Sequence, residues 1–350
     1  MMQEEDIFAG IHLADDCLGD KLNIQQFTQT WQKTSSEGFD FGCLKGLQKY
    51  IQSNKIHCLS ALNVFPKIPM YHFDANALKM AYSVLDDIID RKPSLKCKAL
   101  DVIELISQSP NNNESSRIKA NHLLYHIGQK YPETIKRIEE FTGKKLEQLA
   151  PKNCKLPDFE FIHMGKEKPC AEKFKEIYTK DGLEVKFRGG LWTSPKTANG
   201  HSEWYNWEKF EGFSEDLDKQ TAYYIEPTKD SRCLVVDSLQ DLEPYMLRNE
   251  YSATLDVKAL KKDYDCVYVE DPRDGRFNLY LDGWDVSTLV MLKADKFKAF
   301  TAEEWERHKQ VSQKIRHNTN NDRYTVKNNI SSDDAYIRGF ISLQEYRHRY

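Results

Sequence analysis

The stretch "VKFRGGLWTSPKTANGHSEWYNWEKF", Val185 to Phe210, is unlike the chain on either side of it. It holds three of the six tryptophans, a Gly-Gly pair and a Thr-Ser-Pro turn. Rings alone would suit a core, but Arg188, Thr193, Ser194, His201, Ser202 and Asn206 are interleaved with them. Aromatic faces beside small polar groups are what a ligand pocket needs. The plain alternative is an amphipathic strand, a loop and a helix start. "SEWYNWE" carries the helical spacing, and Gly189 and Gly190 permit a close backbone approach before Trp192.

Outward from this stretch the chain divides near Pro151. The first 150 residues read as helices. "DANALKMAYSVLDDIIDR" starts on Asp74 as N-cap and sets Leu78, Ala81, Leu85, Ile88 and Ile89 on one face. "SLKCKALDVIELISQS" repeats the plan from Ser94, "NNNESS" breaks it, and "RIKANHLLYHIGQKY" resumes it. "PETIKRIEEFTGKK" opens on Pro132, a favoured first-turn residue. A helical bundle or short repeat stack over 1–150 is predicted. His122 and His126 lie one turn apart, but with no third ligand in view they read as a helix face and not as a metal site.

"APKNCKLPD" (150–158) marks the boundary. Beyond it "FEFIHMG", "EVKFRGGLWTS", "TAYYIEPT", "RCLVVDS", "DCVYVED", "FNLYLDG" and "STLVMLKAD" are short runs rich in aromatic and β-branched residues. "AEKFKEIYTKDG" has helical spacing. Residues 151–300 are therefore predicted to be α+β, with mostly antiparallel strands in two packed sheets around a cleft. In 301–350, "AEEWERHKQVSQKIRHN" reads as a polar helix followed by a tail.

Composition narrows the partners. Over 350 residues, 40% hydrophobic and 30% charged, the net charge is −4, which gives no signature of DNA binding. Eight scattered cysteines without a C-x-x-C pair read as reduced thiols, so neither a zinc site nor a disulfide framework is expected. The acidic first thirty residues show no secretory signal, and no apolar run reaches a membrane span. A cytoplasmic location is expected, with delivery into another cell by a non-classical signal as the alternative. There is no G-x-G-x-x-G after a predicted strand and no P-loop.

The order of four features carries a further expectation. His163 lies on the first strand, "GLWTS" (190–194) ends a later one, Ser202 and Tyr205 form an S-x-x-Y helix start, and acids precede the apolar "VSTLVML". This order resembles the ADP-ribosyltransferase fold, in the branch of poly(ADP-ribose) polymerases and diphtheria-type toxins. That family has a histidine, a "G-I-Y-F-A" strand, an S-x-x-Y helix start and a late glutamate. The resemblance spans about Phe159 to Lys296, and the GLWTSP-type segment is also similar to ones in uncharacterised phage and bacterial proteins. It implies a split, mostly antiparallel sheet and an NAD-dependent transfer of ADP-ribose to a protein or nucleic-acid acceptor, without a metal. The helical half would recognise that acceptor.

By the same resemblance His163, Arg188, Gly189, Gly190, Trp192, Thr193, Ser194, Ser202 and Tyr205 would hold NAD. Asp285 would be the catalytic acid, with Glu270 and Asp282 as rivals. Breaking the nicotinamide–ribose bond builds positive charge on the ribose. A carboxylate ~4 Å away is worth about 4 kcal/mol at an effective dielectric near 20. The chain departs from the family in having Trp192 for tyrosine and no glutamate before the last strand. Two alternatives follow: a catalytically inactive binding protein of this fold, and an RNA 2′-phosphotransferase-like enzyme.

Overall fold

A computed structural model of the chain describes residues 4–18, 24–34, 36–68, 70, 73–178, 188–212, 217–248, 253–270, 272 and 284–311. The N-terminal part is helical: α1 (Glu4–Leu18), α2 (Ile24–Thr34), α3 (Glu37–Ser53), α4 (Cys58–Leu62), α5 (Ala75–Arg91), α6 (Lys96–Ser107), α7 (Glu114–Lys130) and α8 (Ile135–Thr142). α5 begins where its sequence says, with the Asp74 carboxylate accepting from the Ala77 N–H at 2.7 Å. It is buried on nearly every side, with Leu78, Ala81, Leu85 and Ile88 all fully enclosed. The apolar core of this part runs from Ala14 to Leu149. Within "NNNESS" the break is also the next start, because Asn113 caps α7 by accepting from the Ser116 N–H.

The second part is built on a mixed, mostly antiparallel sheet of seven strands. They are β1 (Phe161–Gly165), β2 (Leu191–Pro195), β3 (Thr221–Pro227), β4 (Cys233–Val236), β7 (Cys266–Val269), β8 (Thr288–Met291) and β9 (Phe297–Phe300), in the order β4-β7-β8-β2-β1-β3-β9. Among the described residues only β4 and β7 run parallel. β5 (Met246–Arg248) and β6 (Ala253–Leu255) form a separate hairpin. Among the described residues three α-helices intervene: α9 (Glu203–Glu211), α10 (Leu239–Leu242) and α11 (Val257–Asp263). A further helix covers 302–311.

The expectation of two packed sheets needs correction, since one sheet carries both halves of the strand set. It is split only in part: β1 and β2 pair at two positions, Phe161 with Pro195 and Ile162 with Ser194, and then separate. The helix expected in "AEKFKEIYTKDG" is a single 3-10 turn, Ala171–Lys173. Further on, Tyr178 gives its N–H and its carbonyl to Arg188, so backbone pairing overrides the local helical period. "FNLYLDG" lies outside the described residues.

Both faces of the sheet are covered. One carries Phe161, Leu191, Tyr268, Leu289 and Met291, the other Ile177, Val267, Trp284, Val290 and Leu292. The helical part meets the second part through a polar seam. On α5 the polar residues Lys79, Ser83, Asp86, Asp87 and Asp90 recur at helical spacing, and on α7 so do Lys119, His122 and His126. They converge on α11 and the segments before it. Lys79 bonds Glu243, Ser83 and Lys119 bond Asp256, and Lys262 bonds Asp86 and Asp90. His122, His126 and Tyr245 all donate to Asp263, at 2.5–2.8 Å.

Burial alone would raise the Asp256 carboxyl, but the Lys119 charge and bonds from Lys119, Ser83 and the Ala259 N–H hold it at about 2. At Asp90 the same burial effect is outweighed by Lys262 and Lys258, again at about 2. His122, His126 and Tyr245 likewise hold Asp263 well below the carboxylate range against its burial.

Carboxyl groups lowered by folding stabilise the fold above their unfolded pKa, and that stability is lost as pH falls through the folded value. Acid unfolding is therefore expected between about pH 4 and pH 2, followed by circular dichroism. A midpoint near pH 5 would contradict this assignment. Lys119→Ala leaves the Asp256 carboxylate buried and unpaired, with an expected loss of about 3–5 kcal/mol in a urea titration. A loss under about 1 kcal/mol would mean the seam carries little of the stability.

Candidate functional site

The cavity opens where β1 leaves β2. Beyond the Ile162–Ser194 pair the Trp192 carbonyl has no β1 backbone partner in the ladder, and the His163 ring takes it, Nδ1 to oxygen 2.8 Å. A carbonyl only accepts, so Nδ1 carries the proton and Nε2 keeps a lone pair. Gly165 has no side chain beside that nitrogen; a Cβ there would stand 2.9 Å from Nε2. Burial lowers the His163 pKa, opposed in part by the bond to the Trp192 carbonyl. The ring is therefore neutral at neutral pH and ready to accept a hydrogen bond.

The cavity is about 300 Å³ and is lined by Ile162, His163, Met164, Trp192, Thr193, Ser194, Trp204 and Thr288. Most of these lie on one face of the sheet. Antiparallel partners share a face, so Ile162 and Ser194 look the same way, with Trp192 and Met164 two residues along their strands. α9 closes one side. It starts at Ser202, whose hydroxyl accepts from the Tyr205 N–H at 3.1 Å, while Ser194 Oγ accepts from the Trp204 N–H at 3.0 Å. The two serines thereby join the end of β2 to the first turn of α9. Trp192 is held by its Nε1–H, which donates to the Gly189 carbonyl at 2.8 Å, and by Trp284, 4.9 Å away between ring centroids.

His163, Trp192, Thr193 and Ser194 are thus brought together, and the other expected NAD contacts are not. Ser202 is an N-cap and is buried. Tyr205 is buried against His201, with ring centroids 4.4 Å apart, and does not line the cavity. Arg188 is exposed and joins Tyr178 by its backbone. Gly189 and Gly190 have φ of 76° and 69°, and a Cβ on Gly189 would stand 2.1 Å from the Glu176 carbonyl oxygen. The chain needs glycine there for its own turn, and the Gly190 N–H already donates to the Lys175 carbonyl at 2.8 Å.

Among the proposed acids, Asp285 is half-buried in the segment before β8 and is not a lining residue. Trp284 packs toward Trp192, so the cavity is reached by Thr288 and not by Asp285. Glu270 is exposed just beyond β7, and Asp282 lies outside the described residues. The lining residues that motif order did not single out are Ile162, Met164, Trp204 and Thr288. Trp204 was legible as part of "SEWYNWE"; the others depend on strand register.

A larger cavity, about 1070 Å³, lies between the helical part and the sheet, and five lysines line it. Four of them already have carboxylate partners: Lys258 with Asp87, Lys261 with Glu176, Lys262 with Asp86 and Lys293 with Asp265. Among the described residues no group of three or more His, Cys, Asp or Glu is arranged to hold a metal ion. Nor is any helix long and apolar enough to cross a membrane.

Comparison with known proteins finds no matching family model, no similar curated protein and no similar solved structure.

If the tautomer is as assigned, imidazole ¹⁵N spectra of the protein will show His163 neutral with Nδ1 protonated at the ordinary histidine midpoint, about pH 6.5. A half-protonated ring at that pH would remove it as a neutral acceptor.

Proposed function

We propose that the chain binds NAD at the parting of β1 and β2 and transfers ADP-ribose to a macromolecular acceptor, in the manner of the ADP-ribosyltransferase-like proteins its motif order resembles. One observation carries this reading: His163 and Trp192, 29 positions apart, meet on one cavity with Ser194. About 300 Å³ is at the small end of ligand pockets, enough for one ring and its ribose, with the remainder of a dinucleotide outside. Trp192 and Trp204 offer flat faces, each worth about 1–3 kcal/mol against a heteroaromatic ring. The Nε2 lone pair of His163 suits a ribose hydroxyl, which must donate to it. The hydroxyls of Thr193 and Ser194 are engaged with the Leu289 carbonyl and the Trp204 N–H, so they shape the wall more than they read the ligand.

A second reading, an NAD-binding protein of this type without catalysis, is favoured by one feature. Among the described residues, none of the eight that line the cavity is a carboxylate. The phosphotransferase alternative is weaker still, because a phosphate-binding site needs cations and among the described residues no Lys or Arg lines the cavity.

Quenching of tryptophan fluorescence by NAD, alongside nicotinamide release, separates these readings. Trp192→Ala is expected to weaken NAD binding by about 5- to 150-fold, the equivalent of one stacked face. Binding with release supports transfer, and binding without release supports the inactive protein. No binding at millimolar NAD would sink both.

A further inference from the structure

A covalent modification site lies in the loop between β2 and α9. We propose that Asn199 converts to aspartate and isoaspartate in the folded chain, through attack of the Gly200 nitrogen on its side chain, and that the turn promotes this reaction. The proposal is independent of what the cavity binds.

Asn199–Gly200 is the one Asn-Gly pair in the sequence, and asparagine is among the thermally labile residues. Both residues are exposed. Gly200 has φ of 87°, a left-handed value suited to glycine, so no side chain crowds the attacking nitrogen.

The Asn199 amide is held and polarised. Its Oδ1 accepts the His201 N–H at 3.1 Å, a bond that folds the side chain back along its own backbone. The Thr197 hydroxyl donates to the same oxygen at 2.5 Å, sharing its proton with the His201 carbonyl. Attack at Cγ builds negative charge on Oδ1, where these donors already point. Asn199 Nδ2 donates to Asn206 Oδ1 at 3.1 Å, which turns the leaving nitrogen toward α9. One contact opposes the reaction: the Gly200 N–H donates to the Thr197 carbonyl at 3.0 Å and must first release it.

The Gly200 nitrogen gives its proton to a solvent base and bonds to Asn199 Cγ, closing a five-membered imide. The Cγ–Nδ2 bond breaks, and the nitrogen takes a proton from solvent and leaves as ammonia. Water then opens the ring at Cγ to give aspartate, or at the main-chain carbonyl to give isoaspartate. Isoaspartate adds a methylene to the main chain of a turn that the Lys196–Ser202 bridge closes. Ser202 caps α9 and Trp204 lines the cavity, so the change reaches the cavity wall.

Peptide mapping of the full chain aged in mildly alkaline buffer is expected to show an acid at position 199 before any other asparagine converts. An isoaspartyl methyltransferase is expected to label the same peptide. Thr197→Val removes one donor from Oδ1 and is expected to slow the conversion about 2- to 10-fold, the worth of one ordinary hydrogen bond. Thr197→Ser keeps the hydroxyl and is expected to convert at the unmutated rate, with circular dichroism confirming that both variants fold. If Asn199 persists in the folded chain and converts only in urea, the fold protects the pair and the proposal is overturned. Equal or faster conversion in Thr197→Val also overturns it, because the turn would then contribute nothing.

Discussion

The bond from His163 to the Trp192 carbonyl is the constraint on which the candidate site depends. A sheet that pairs β1 with β2 along their whole length would bury that carbonyl in a ladder and leave no room for a ligand. After two paired positions the strands part, and the imidazole satisfies the carbonyl that the parting exposes. One interaction thus maintains the opening, orients the ring and fixes the tautomer that leaves Nε2 as an acceptor. Burial opposes charging of the ring, so all three effects act together at neutral pH.

The polar seam is a different kind of constraint. Its members are buried or half-buried, and continuum arguments make buried ion pairs poor sources of net stability compared with apolar packing. Their effect is to define the docking of α11 against α5 and α7. A lysine on α7 meets an aspartate that also caps α11, and three donors converge on Asp263. A shifted register would strand several of these groups without partners, each at a cost of about 1–3 kcal/mol or more. The seam therefore specifies one arrangement of the two parts.

Much of the helical part was legible from residues 74 to 142 because helix signals are local. Asp74 and Asn113 cap their helices through side chains three residues from the donor, and the apolar period is repeated every turn. What was not legible was the use of the polar stripes. Lys79, Ser83, Lys119, His122 and His126 look like an exposed face, and only partners more than 130 residues away turn them inward. β5 and β6 are three residues each, too short for a periodic signal, and the 3-10 turn at Ala171–Lys173 carries a helical spacing that backbone pairing at Tyr178 overrides.

For the site, the resemblance carried by motif order grouped His163, Trp192, Thr193 and Ser194, and these four line one cavity. The residue types also marked the Gly-Gly pair as a tight turn and Ser202 as the start of a helix. Which side chains face the cavity was decided only by strand register, because a slip of one residue exchanges the two faces. That register admits Ile162, Met164 and Thr288, leaves Tyr205 beneath His201, and keeps Asp285 off the cavity wall. It also brings Glu203 to Ser287 across 84 positions of chain. Local chemistry is written in neighbouring residues, whereas a carboxylate's distance from a cavity depends on how separate strands and helices are paired.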